Sequence, residues 1–222
     1  MNNNFAGKIK DRLNQNEWSW WHLLGIFLIC LLNVTAQFSL LVKPYLSLPL
    51  MLFNAIVFTG VIKHSIDSGE DTAKFDIKNM LKVVLIWLGF MIISVIIISL
   101  MNKLSISSTP ENQMALEKVL LSRPVGSRLV TCFSIAFISP MSEELIFRYY
   151  LMKSGKLFKT RIIISALLFV IMHSGFNPIY AMYYIPMTIG MTFTRLHFKS
   201  TRFSYEYHCL QNTLAVMVIF SL

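Results

Sequence analysis

The chain has 222 residues, of which 55% are hydrophobic and 14% are charged, and its mean hydropathy is +0.59. Soluble domains carry about 25% charged residues, so this composition excludes an ordinary soluble globular protein and indicates a membrane protein. The formal net charge of +9 lies mainly in short loops. The positive-inside rule explains that distribution without nucleic acid as a partner.

Seven apolar runs follow one another along the chain. Crossing ~30 Å of hydrocarbon takes about 20 mostly apolar residues in a helix. The runs lie at 20–42, 46–62, 80–101, 128–152, 162–174, 179–193 and 205–222. The sequence therefore predicts an all-α fold, a polytopic transmembrane helix bundle of about seven spans that forms a single integral membrane domain over residues 1–222. Residues 109–122 carry helix start signals and predict a short surface helix.

The basic residues of the loops predict the orientation. With a cytoplasmic N-terminus, 13 basic residues face the cytoplasm and five face outside. The five outside residues are Lys43, Lys103, Lys118, Arg123 and Arg128. We therefore expect a multi-pass protein of the cell membrane with a cytoplasmic N-terminus. The three cysteines show no CxxC pair and no regular spacing, which predicts neither a disulfide framework nor a thiolate metal site.

Charged residues stand in the middle of the fourth run, in "PMSEELIFRYYL" (140–151). One charge at the bilayer centre costs roughly 2.5 to 3.5 kcal/mol, so these charges must be paired or used. Glu144 and Arg148 are spaced i, i+4 and are expected to pair on one helix face. Glu143 lies about 100° around the helix and lacks that partner.

Further polar residues lie at a similar depth in the later runs. Counting 1.5 Å per residue from the expected cytoplasmic ends puts Glu143 about 13 Å deep, His173 about 18 Å and His208 about 12 Å. Asn212 shares a helix face with His208. A carboxylate can act as a base toward water, and imidazole and carboxamide groups can donate hydrogen bonds to an oxyanion. Each residue alone is also consistent with a structural role, but a carboxylate, two imidazoles and a carboxamide at one depth together have the chemistry of an active site.

Three motifs contain these residues. "EELIFR" (143–148) fits EExxxR, "FVIMH" (169–173) fits FxxxH, and "HCLQN" (208–212) fits HxxxN. In this order the motifs resemble the CPBP family of intramembrane proteases, which includes CAAX prenyl proteases and bacterial proteins of bacteriocin processing and self-immunity. The resemblance covers about residues 126–216 and includes Gly190. One departure is that only ten residues follow the last motif, which leaves no eighth span.

The resemblance implies an all-helical bundle that encloses a polar active-site cavity in the C-terminal four helices. It also implies a role for each motif residue. Glu143 would activate the attacking water, while Glu144 and Arg148 would orient or support it. His173 would assist, and His208 and Asn212 would stabilise the oxyanion of the tetrahedral intermediate.

The family has been described both as zinc metalloproteases and as metal-independent glutamate proteases. Glu143, His173 and His208 offer the three ligands of a catalytic zinc site. However, HxxxN is not HExxH, and no residue separate from those ligands stands out as a base. We therefore favour metal-independent chemistry and firmly predict no cofactor, with a divalent metal such as zinc as the alternative.

The predicted function is that of an intramembrane endopeptidase acting on a membrane-associated peptide near the cytoplasmic half of the bilayer, in bacteriocin processing or self-immunity. The expected partners are the lipid bilayer and a peptide or small protein substrate; the oligomeric state does not follow from the sequence. The alternative is a non-catalytic membrane immunity protein that binds its partner with the same fold. A proton-coupled carrier is disfavoured because nearly all ionisable residues inside the spans lie in one half of the chain.

Overall fold

The computed structural model describes residues 47–67, 69, 71, 76–106, 109–152 and 157–221, and eight residues between 24 and 35. Within these residues the regular structure is helical. The helices are α1 (Leu48–Asp67), α2 (Ile77–Lys103), α3 (Glu111–Leu121), α4 (Val125–Tyr150), α5 (Phe158–Ser174), α6 (Pro178–Phe198) and α7 (Thr201–Ser221).

Six of the seven predicted spans coincide with α1, α2 and α4 to α7, and the predicted surface helix is α3. The first predicted span, 20–42, and the charged segment before it lie largely outside the described residues. Three helices, α1, α2 and α4, are long and apolar enough to cross a membrane. By contrast, α5 has 17 residues, and α6 and α7, with 21 each, carry more polar side chains.

Helix α4 lies at the centre of the bundle and is not a uniform α-helix. Two segments within it, Ser134–Ile138 and Leu145–Tyr150, are π-helical, on either side of the α-helical turn that contains Glu143 and Glu144. A π-helical turn inserts an extra residue and rotates the side chains that follow it, and such turns are frequent at functional sites. Leu145 to Tyr149 are all buried, and the hydrophobic ones belong to a core cluster with members on α1, α2, α5, α6 and α7.

The turn between α5 and α6 fixes where α5 ends. Gly175 adopts a left-handed conformation with φ +57°, and its N–H donates to the carbonyl of Ile171. Asn177 then caps α6, since its side-chain oxygen accepts from the backbone N–H groups of Ile179 and Tyr180 at 2.9 and 3.3 Å. A glycine after the last turn and an asparagine at the next N-cap are standard stop and start signals. Helix α5 therefore ends one residue after His173.

Helices α6 and α7 are in close contact at Gly190. A Cβ atom at this position would overlap the hydroxyl and ring of Tyr207, which is 1% exposed. Glycine is therefore needed here for lack of space and not for a left-handed backbone conformation.

Replacing Gly190 with alanine is expected to destabilise the fold by about 1–3 kcal/mol, the usual cost of overpacking a filled core. Thermal unfolding in detergent micelles measures this loss. Gly89→Ala on α2 is the matched control, because no described residue lies within 4 Å of an added Cβ there. Equal melting temperatures for the two variants would contradict the close packing.

Candidate active site

Glu143 lies at the centre of the candidate site. Its Oε1 accepts a hydrogen bond from Ser139 Oγ at 3.0 Å. Its Oε2 lies 3.5 Å from His173 Nε2 and 3.7 Å from His208 Nε2. No described residue makes a hydrogen bond to that oxygen within ordinary geometry. One carboxylate oxygen is thus held in place, and the other faces two imidazoles.

The ring of His173 is fixed by its own helix. Its Nδ1 lies 2.8 Å from the carbonyl oxygen of Phe169, and a carbonyl only accepts, so Nδ1 carries the proton. The ring also stacks on Phe169, with centroids 4.1 Å apart and planes 20° apart. These two contacts direct Nε2 toward Glu143.

His208 is oriented in the same way by a different partner. Its Nδ1 lies 3.0 Å from Glu144 Oε1, so it donates to that carboxylate. The other carboxylate oxygen of Glu144, Oε2, accepts from Ser204 Oγ. His208 and Glu144 are 1% and 0% exposed, so water does not compete for this pair. The remaining His208 nitrogen, Nε2, faces Glu143.

Arg148 supplies the positive charge beneath the site. Its Nη1 lies 3.4 Å from Glu144 Oε1, and both side chains are fully buried. The guanidinium also lies over the ring of Phe169, 4.3 Å from its centroid, a distance at which cation–π attraction is favourable. The predicted i, i+4 pair is therefore present, and Phe169 contacts both this guanidinium and the His173 ring.

Asn212 lies one helical turn beyond His208. Its Nδ2 donates to the carbonyl oxygen of Ile135 at 2.9 Å, within the first π-helical segment of α4. This contact holds the carboxamide in position and leaves one of its two N–H groups for another acceptor. Asn212 and Glu143 line the same cavity.

That cavity has a volume of about 920 Å³ and contains contributions from α2 to α7. Glu143, His173 and Asn212 form part of its wall, whereas His208 lies buried behind Glu143. The rest of the wall is uncharged and includes Tyr180, Tyr183 and Tyr184. A volume of this size is typical of a ligand site and accommodates several residues of a peptide.

The structure thus brings Glu143, Glu144, Arg148, His173 and His208 into one contiguous cluster, with Asn212 in the adjoining wall. The predicted convergence of the carboxylate and the imidazoles is confirmed, while their catalytic roles stay predictions.

Zinc binds donor atoms of the same kind as Glu143 Oε2, His173 Nε2 and His208 Nε2. In both imidazoles Nδ1–H donates to an oxygen, as it commonly does in metal-ligating histidines. Among the described residues, no three His, Cys, Asp or Glu side chains are spaced to hold a metal ion. The three side chains therefore have suitable donor atoms for a metal ion, but their spacing in this structure does not match a metal site.

Three supporting residues were not assigned a role from the sequence. Ser139 donates a hydrogen bond to Glu143, Ser204 donates one to Glu144, and the ring of Phe169 contacts both His173 and Arg148. The two serines could have been found by spacing, because Ser139 lies four residues before Glu143 and Ser204 lies four before His208. Phe169 is the first residue of the FxxxH motif, but its contacts with residues of other helices cannot be predicted from the sequence.

Replacing Ser139 with alanine is expected to lower the rate of the reaction at Glu143 about 10- to 100-fold. A hydrogen bond to a charged group contributes about 1.5–3 kcal/mol, and each 1.4 kcal/mol in the barrier is tenfold in rate. Thr131→Ala is the matched control, since this buried hydroxyl of α4 bonds only the Ser127 carbonyl at 2.8 Å among its described contacts. If both variants lose the same activity, Ser139 does not position Glu143.

Comparison with known proteins identifies a family for this region. The model of the type II CAAX prenyl endopeptidase Rce1-like family matches residues 125–214. These residues span α4 to α7 up to two residues beyond Asn212, and they contain all three motifs. The match confirms the resemblance that the motifs predicted.

Curated relatives match over part of their length. The chain is 32% identical over 106 residues to the UPF0177 protein YaiH of Lactococcus lactis, covering 48% of this chain and 44% of the relative. It is also 32% identical over 83 residues to the UPF0177 protein YajF of the same organism, covering 37% and 39%. The matched segments thus span less than half the length of these relatives. No solved structure matches the chain significantly.

Proposed function

Because the model of the Rce1-like family of CAAX prenyl endopeptidases matches residues 125–214, we propose that this chain is an intramembrane endopeptidase that hydrolyses a peptide bond of a membrane-associated peptide. One observation carries the proposal. Glu143 Oε2 faces the Nε2 atoms of two oriented histidines at the wall of a cavity large enough for a peptide.

Glu143 acts as the general base in this mechanism. Its Oε2 takes a proton from a water molecule in the cavity, and the resulting hydroxide attacks the carbonyl carbon of the scissile peptide bond. Ser139 keeps the carboxylate pointing into the cavity through Oε1. His173 assists by sharing a proton with Glu143 through Nε2, since its Nδ1 is occupied by the Phe169 carbonyl. The proton then passes to the leaving amine as the C–N bond breaks.

Asn212 stabilises the oxyanion of the tetrahedral intermediate from the cavity wall, and His208 contributes to the same stabilisation from its buried position behind Glu143. His208 can donate from Nε2 only when both ring nitrogens are protonated, because its Nδ1–H is already donated to Glu144. Glu144 is then the counter-ion of a His208 imidazolium, and Arg148 balances the second negative charge of the cluster. The second N–H of Asn212 completes the oxyanion site. Oriented donors of this kind act strongly where water is excluded.

The surrounding bundle supports an enzyme that works inside the membrane. We propose about seven spans, a multi-pass location in the cell membrane, and a cytoplasmic N-terminus, with the lipid bilayer and a peptide as partners. The curated relatives are bacterial, which favours a peptide precursor such as a bacteriocin over a prenylated protein. Bacteriocin processing or self-immunity is therefore the proposed biological role.

We propose that the reaction does not need a metal, because Glu143 is the base and no second carboxylate faces the cavity among the described lining residues. A divalent cation would instead have Glu143, His173 and His208 as ligands and would activate the water as a Lewis acid. Cleavage by the purified protein is expected to persist unchanged after dialysis against a strong chelator such as 1,10-phenanthroline. Loss of cleavage that added zinc restores would overturn the metal-independent mechanism.

The proposed function is tested by mapping new peptide termini in membranes of cells that express the wild type or Glu143→Gln at matched levels. Termini generated by proteolysis are expected in the wild-type cells and are expected to disappear in the variant. Glu206→Gln is the matched control, since Glu206 also lies on a bundle helix but pairs with Arg202 at 3.3 Å, away from the cavity. If wild type and Glu143→Gln give the same termini, the chain does not act as a protease and the binding alternative gains support.

A further inference from the structure

The two ends of the bundle differ in their access to the site. The basic end of the bundle is the one where α1, α4 and α6 end, near Asp67, Tyr150 and Phe198. The cavity end is the opposite one, where α2 and α5 end, near Lys103 and Ser174. The C-terminal part of α2, the last turn of α5 and the N-terminal half of α6 line one cavity. Helices α2 and α5 therefore end at the cavity end, and α6 begins there.

The cavity leads from Glu143 to the cavity end. On α2 it is lined by both Ser94 and Asn102, eight residues apart, so it extends roughly 12 Å along this helix toward its C-terminus. It continues to Thr109 and Gln113, before and within α3. Asn102 and Thr109 are exposed, so this path reaches the surface. The early end of α5 leaves the space that the path occupies.

The opposite side of the site is closed among the described residues. Glu144, Arg148 and Ser204 lie on the basic-end side of Glu143, and each is 0% exposed. Phe203 and Met152 lie further toward the basic end and are 0% and 1% exposed. A peptide therefore reaches Glu143 from the cavity end and not from the basic end.

The charges of the loops tell which side of the membrane the cavity end faces. At the basic end, the described residues include seven basic ones at or near helix termini: Lys63, Lys78, Lys159, Arg161, Arg195, Lys199 and Arg202. The described residues of the cavity end include four, namely Lys103, Lys118, Arg123 and Arg128. Lysine and arginine are enriched in cytoplasmic loops, so the basic end is cytoplasmic.

From these observations we infer that the site takes its peptide from the non-cytoplasmic side of the membrane, through the cavity beside α3. This inference rests on the proposed function and narrows the class of substrate. The substrate is a peptide or protein segment that is already exposed on the non-cytoplasmic face. The segment that enters is uncharged, because the described lining residues include no lysine, arginine or aspartate, and Glu143 is their one carboxylate.

Cysteine accessibility in intact cells tests the inference without an activity assay. Single cysteines are placed at Thr109 in the mouth, at Ala215 in the cavity wall and at Lys159 at the basic end, after Cys30, Cys132 and Cys209 are replaced by alanine. The probes are a sulfonated, membrane-impermeant maleimide for Thr109→Cys and Lys159→Cys, and a small charged methanethiosulfonate for Ala215→Cys. If the cysteine-free chain does not accumulate, the same variants are made with the natural cysteines and wild type serves as the blank.

The inference predicts that Thr109→Cys and Ala215→Cys react in intact cells, whereas Lys159→Cys reacts only after permeabilisation. The reverse pattern would overturn it, because the mouth would then face the cytoplasm. Reaction at Thr109→Cys with none at Ala215→Cys before or after permeabilisation would also overturn it, since the mouth would not lead to the site. These outcomes are independent of the proposed protease activity, which fails only if Glu143→Gln still yields the wild-type termini.

Discussion

Glutamine in place of Glu143 is expected to lower the rate of peptide cleavage about 100- to 10,000-fold, the range that a positioned general base contributes. The amide has nearly the same shape and can still accept a hydrogen bond from Ser139, which reaches Oε1 at 3.0 Å. It cannot take a proton from water, so the substitution removes the chemistry and keeps the packing. The measurement is the single-turnover cleavage rate of the purified protein in lipid vesicles.

Two further variants separate the loss of the base from a loss of structure. Glu143→Asp keeps a carboxylate but withdraws it by one methylene, and it should retain more activity than Glu143→Gln. Glu206→Gln should cleave at the wild-type rate, since Glu206 contacts Arg202 and not the cavity. If Glu143→Gln cleaves within a few-fold of wild type, Glu143 is not the base.

The second large effect is expected on stability. Replacing Arg148 with alanine should destabilise the fold by about 3–5 kcal/mol, because it leaves the fully buried Glu144 carboxylate without its cationic partner. It also removes the guanidinium from the face of Phe169. The measurement is thermal unfolding in detergent micelles. Arg202→Ala is the control, because its partner Glu206 is 21% exposed and such pairs contribute about 0–1 kcal/mol.

A double variant identifies the cause of this destabilisation. Arg148→Met combined with Glu144→Gln removes both charges and keeps hydrogen-bonding groups for Ser204 and His208, so it should recover part of the lost stability. A melting temperature of Arg148→Ala equal to that of Arg202→Ala would contradict the buried pair.

The helices were predictable from the sequence because apolar runs and helix signals are local. The bounds of α2 and α5 differ from the predicted runs by no more than four residues at either end. The pairing of Glu144 with Arg148 was also local, since an i, i+4 spacing fixes both side chains on one face. Depth along the helices correctly brought Glu143 and the two histidines to one level.

Contacts between helices were not predictable, because one sequence gives the depth of a side chain but not the direction in which its helix faces a neighbour. The hydrogen bond from His208 to Glu144 joins α7 to α4 and depends on that rotation. The π-helical turns of α4 rotate the side chains around Glu143, and nothing in "SIAFI" or "LIFRYY" marks them. The opening of the cavity beside α3 depends on how α2, α3 and α5 pack around it, which only the folded bundle reveals.

The most direct test of the central claim is cleavage in water enriched in oxygen-18. The purified wild-type chain in lipid vesicles is given a peptide found by mapping the new termini, and the products are analysed by mass spectrometry. The mechanism predicts one oxygen-18 atom in the new carboxyl terminus with wild type and with Glu206→Gln, and no product above background with Glu143→Gln. Labelled product from Glu143→Gln at the wild-type rate would contradict the claim that Glu143 activates the water.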